Sequence, residues 1–111
     1  MQTNLPTAMN NIILTTPQIQ AIIYLLDEAP EPLLDFYFEN EDKVFKENRK
    51  RWYLPITHKC KKWMQTNLGG YAKNLAEMVK ESIDSDDEYW REEAKANKQN
   101  IEKVKRILKK L

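Results

Sequence analysis

Only two glycines occur in the 111 residues, and they are adjacent, at Gly69 and Gly70. An all-β chain of this length needs turn residues every 8–12 positions or so, which this sequence does not supply. A helical protein is therefore expected. The chain is long enough to close one core and too short for two domains. Its apolar content, 41% hydrophobic with three Trp, five Tyr and three Phe, lies above the level at which chains fail to collapse.

Caps and spacing give the helix boundaries. Thr16 ahead of Pro17 is a capping hydroxyl before a residue whose missing N–H is harmless at a helix start. Ile19, Ile22, Ile23 and Leu26 follow on one helical face, and Pro30 and Pro32 stop that helix near Ala29. A second helix is expected from Pro32 through Arg51, with a break near Asn40. Pro55 sets the next boundary, and Thr57 caps a third helix carrying Cys60, Trp63, Met64 and Leu68, which Gly69 ends. A fourth follows Gly70, with Tyr71, Leu75, Met78, Val79 and Ile83 on one face. Ser85 and Glu88 form a capping box for a long C-terminal helix. The expected architecture is all-α: a small single-domain bundle of about five helices, residues 12–111, behind a flexible uncharged segment, residues 1–11.

In the last helix, Trp90, Ala94, Asn97, Ile101, Val104, Leu108 and Leu111 are spaced alternately by four and three, which is a short heptad seam. Such a stripe either pairs two chains or docks the helix onto its own domain. Docking within a monomer is favoured slightly over a homodimer, because the pattern covers only three heptads.

The net charge is +1, but the charges are ordered in blocks. Residues 1–24 carry none; residues 25–42 sum to −7 and residues 43–63 to +7; the chain ends with −6 over 81–94 and +6 over 95–111. Helices that begin acidic and end basic gain from the macrodipole, which explains part of this order. It leaves a surplus of positive charge in the segment KENRKRWYLPITHKCKKW.

That segment is the candidate contact site: Arg49, Lys50 and Arg51 beside Trp52 and Tyr53, then Lys59, Lys61 and Lys62. Arg, Trp and Tyr are the residues most enriched among interface hot spots, which fits a protein partner contacted here or through an acidic helix face. The alternative is DNA or RNA, with basic groups on phosphates and rings stacked on bases. The near-neutral total and the acidic blocks weigh against nucleic acid.

Chemistry is sparse. One Cys and one His cannot build a Cys/His zinc site, and His58 and Cys60, two apart on a helix, point away from each other. The run Asp84–Glu88 lacks the remaining calcium-loop pattern. No phosphate-loop, nucleophile-elbow or zincin motif occurs, so neither catalytic residues nor a cofactor is expected. The first 42 residues hold no Lys or Arg, unlike a presequence, and no apolar run approaches the length of a membrane span. The resulting expectation is a cytoplasmic, non-enzymatic regulator or inhibitor, of the kind a phage or mobile element encodes, that acts by occupying a surface on a protein.

Overall fold

The computed structural model describes residues 10–82 and 88–111, in the order β1 (Asn10–Thr15), α1 (Thr16–Ile22), a 3₁₀ helix (Ile23–Glu28), α2 (Glu31–Lys46), β2 (Arg51–Ile56), α3 (His58–Ser82) and α4 (Glu88–Lys109). The all-α expectation is thus corrected: the fold is mixed, largely helical, with four α-helices among the described residues and a two-stranded antiparallel sheet. The strands pair from Asn10 opposite Ile56 to Thr15 opposite Arg51. Ile12, Leu14, Trp52, Leu54 and Ile56 turn inward and are buried, while Ile13 and Tyr53, opposite each other in the register, face outward and stay exposed. Outward apolar residues in both strands mask the period-2 alternation that would have revealed them. Pro55, read from sequence as a boundary, lies inside β2, where an edge position tolerates it.

Thr15, rather than Thr16, caps α1. Its hydroxyl accepts from the Gln18 amide at 3.4 Å, and its own N–H donates to Gln18 Oε1 at 2.9 Å. This one-residue shift frees the Thr16 side chain for a second task. The Thr16 hydroxyl accepts from Trp52 Nε1 at 3.0 Å and donates to the Arg49 carbonyl, joining the start of α1 to the start of β2. The α2 helix ends at Lys46 rather than running to Arg51, and Asn40 lies inside it, its side chain donating back to the Phe36 carbonyl.

The two helices expected to meet at Gly69 form one, α3, of 25 residues and about 37 Å. Neither glycine adopts a positive φ, and an added Cβ at either would meet nothing within 4 Å. What carries the helix through the pair is packing: Cys60, Met64, Leu68 and Ala72, each four residues apart, are buried along one face. Thr57 caps α3, its hydroxyl accepting from the Cys60 amide at 3.1 Å. Gln65, near the start of α3, shares a groove with Glu102, Lys105, Arg106 and Lys109, near the end of α4, so the two packed helices form an antiparallel hairpin. Ile101, Val104 and Leu108 of α4 are fully buried in the same core as the sheet, α1, the 3₁₀ helix and α2. Ile101, Val104 and Leu108 of the last helix's apolar stripe are thus occupied within the chain, whereas Leu111 is exposed. The expectations placed on residues 1–9, on Ser85 and the acidic run at 84–87, and on the side chains of Leu75, Met78, Val79 and Trp90 lie outside the described residues.

Candidate functional site

A cleft of about 630 Å³ lies between α2 and β2. Its helical wall is Glu31, Asp35 and Glu39, spaced four apart so that the carboxylates run in a stripe along α2, with Pro32 and Phe36 beside them. The opposite wall is Arg49, Trp52, Tyr53 and Pro55, with Asn11 reaching over from β1. Each element is there for a local reason. Leu33, Phe36 and Val44 pin one face of α2 to the core, which turns the acidic stripe outward. Four residues after Lys46 return the chain as β2, which brings the basic and aromatic segment back along the helix that precedes it.

Within that wall the sequence-predicted residues have different roles. Trp52 is 1% exposed and forms the floor, held by its bond to Thr16. Arg49 lies over the Trp52 ring at 4.9 Å from its centroid and pairs with Glu47 at 3.0 Å, so its charge is partly answered from outside the cleft. Tyr53 is 57% exposed and presents its ring to solvent. With three carboxylates and one guanidinium the lining is net negative.

Lys50 and Arg51 are exposed at the entry to β2, and Lys59, Lys61 and Lys62 lie on the first turn of α3. One turn after Lys61 is Gln65, which shares a smaller groove of about 400 Å³ with Glu102, Lys105, Arg106 and Lys109 of α4. The eight candidate residues are therefore divided. Arg49, Trp52 and Tyr53 join the acidic cleft; the three α3 lysines lie apart from it at the start of the hairpin, whose basic groove is formed by α4 residues and Gln65.

The sequence points to an acidic helix face as an alternative contact without singling out Glu31, Asp35 and Glu39, because the macrodipole accounts for Glu31 at the first turn of α2. It does not account for Glu39, two turns further on. The i, i+4, i+8 spacing of the three acids was the available signal.

A different face of α2 carries an aromatic ridge. Tyr24 of the 3₁₀ helix stacks on Phe45 at 5.7 Å, and Tyr37 meets Phe38 edge-on at 5.6 Å. Phe38 is 71% exposed. A hydrogen bond to Glu41, then partial burial and the charges of Glu41 and Asp27, push the Tyr37 hydroxyl up to about 12. On α4 a hydrogen bond to Glu93 raises the hydroxyl of Tyr89 in the same sense.

Cys60 is fully buried and His58 exposed, so the two are not assembled into a nucleophile and base. Among the described residues no group of three His, Cys, Asp or Glu side chains is placed to hold a metal ion, and no helix is long and apolar enough to cross a membrane. Compared with family models, curated proteins and solved structures, the chain matches none.

Proposed function

We propose that this is a non-catalytic binding protein that acts as a regulator or inhibitor by seating part of a protein partner in the cleft between α2 and β2. The observation that carries this reading is the acidic stripe itself. Glu31, Asp35 and Glu39 place two like-charge pairs at i, i+4, each costing the helix about 0.2–0.5 kcal/mol. The stripe is solvent-exposed and forms one wall of a cleft. A local arrangement that weakens its own helix and is answered by only one guanidinium on the opposite wall is what a surface awaiting a cationic partner requires. Tyr53 supplies an exposed amphipathic ring at the rim, the residue type that contributes most at such contacts.

The test is site-specific photo-crosslinking in the cell that makes the protein, with the photoreactive residue at position 53 in one variant and at position 106, on the basic hairpin surface, in another. A discrete adduct from position 53 that survives nuclease and is destroyed by protease supports a protein partner in the cleft. Nuclease-sensitive adducts, arising mainly from position 106, would transfer the function to nucleic acid and the basic surface. Binding to random duplex DNA or single-stranded RNA is expected to be no tighter than about 10⁻⁵ M at physiological salt, the level basic patches reach without specificity.

A further inference from the structure

Resting on the protein-partner reading, we infer that the occupant of the cleft is an extended segment with basic residues at alternate positions, added as a third strand along the free edge of β2. The sheet has two strands, so β2 has β1 on one side only. The cleft lies along β2, taking in Trp52 from its inner face and Tyr53 and Pro55 from its outer face, and reaches Asn11 of β1 only at its end, beside Pro55. A cleft lined by residues of both faces runs along the strand edge.

Pro55 fixes which backbone groups look outward. It stands opposite Asn11 and has no N–H to give the ladder, so it occupies a position whose nitrogen faces away from β1. By alternation, Arg51 and Tyr53 share that orientation, and the Tyr53 N–H and C=O are aimed at the free edge. An added chain finds its main-chain partners there.

The acidic wall then sets the side-chain pattern. Four residues of α-helix rise about 6.0 Å, and two residues of strand advance about 6.6 Å. Successive carboxylates at Glu31, Asp35 and Glu39 thus keep step with every second residue of an extended chain across three positions, with a drift that a lysine or arginine stem absorbs. A helical or block-charged segment does not keep this step.

The experiment uses the whole protein and three synthetic heptapeptides. The first alternates Lys with Thr, starting and ending on Lys. The second has the same composition with its four Lys in one block. The third is the alternating peptide with the backbone nitrogens of its second to seventh residues methylated, so that no N–H is left for the ladder whichever residues face β2. The alternating peptide is expected to bind about tenfold tighter than the block peptide, the scale of one charge-assisted hydrogen bond. Methylation should abolish this advantage, and Asp35→Asn should weaken the alternating peptide while leaving the fold intact. Binding should slow hydrogen exchange at the Tyr53 amide. Equal affinities for all three peptides, or exchange protection confined to α3 and α4, would overturn strand addition. Failure of all three peptides alongside an intact position-53 protein adduct also overturns it, while leaving the protein-partner reading in place; loss of that adduct removes both.

Discussion

The α2–β2 cleft and the basic surface of the α3–α4 hairpin draw on charge blocks of nearly equal size, yet the chain treats them differently. On the hairpin, Lys105, Arg106 and Lys109 share a groove with Gln65, and Glu102 in the same groove answers Lys105 at 3.7 Å. Long, flexible cations with an acid one turn away on their own helix are partly neutralised and cost little to keep. In the cleft, the carboxylates of α2 face a second wall containing a buried Trp, an exposed Tyr and a Pro. The hairpin groove answers part of its charge within one helix, whereas the three carboxylates of α2 face a single guanidinium that is itself paired with Glu47.

The largest expected effect breaks any reading in which Trp52 is itself a contact residue. Trp52→Ala should destabilise the protein by about 3–5 kcal/mol in urea titration, because it empties a fully buried site. Trp52→Phe, which keeps most of the ring but leaves the Thr16 hydroxyl without its donor, should lose only about 0.5–1.5 kcal/mol. By contrast, Tyr53→Ala should leave stability within about 0.5 kcal/mol, the range of ordinary surface substitutions, while weakening partner binding.

Next in size is a pair of substitutions on the hairpin. Gly69→Ala and Gly70→Ala should each stabilise the fold by about 1 kcal/mol in the same titration, since both positions are helical and uncrowded. Neither should affect the cleft. Loss of partner binding in these variants would mean that the hairpin surface takes part in recognition.

Smaller in stability, but sharper in meaning, is Asp35→Lys. It replaces two repulsive i, i+4 pairs with two attractive ones, so the helix should gain a few tenths of a kcal/mol while the cleft loses its complementarity. A variant that is slightly more stable and fails to bind is the signature of a residue held for function.

The smallest effect concerns the other face of α2. In spectrophotometric titration Tyr37 should ionise near 12, and Glu41→Gln should lower it toward the ordinary value of 10. Because the folded value is raised, the unfolded chain loses this proton first. The contribution of Tyr37 to stability is therefore intact below pH 10 and declines as pH rises from about 10 to 12.

What could be read from sequence was local. The isoleucine face of α1 and the 3₁₀ helix, the Thr57 cap and the inward stripe of α4 follow from spacing and capping chemistry. The sheet does not, because Ile12 to Leu14 and Trp52 to Ile56 are unbroken apolar runs whose pairing spans 35 residues and more. Gly69 misleads for a related reason: the burial of Met64, Leu68 and Ala72 outweighs about 1 kcal/mol per glycine. Half of the site was visible as the Arg49–Trp52–Tyr53 cluster. The other half was hidden because strand pairing and the return of the chain after Lys46, both non-local, bring the acids of α2 against it.

The central claim is that the acidic cleft, and not the basic hairpin, meets the partner. The most direct measurement is the yield of the position-53 photo-adduct in two charge-reversed backgrounds, Asp35→Lys and Arg106→Glu, with folding checked by circular dichroism. The account predicts that the adduct disappears with Asp35→Lys and persists with Arg106→Glu. An adduct indifferent to Asp35→Lys, or abolished by Arg106→Glu in a folded protein, would contradict it.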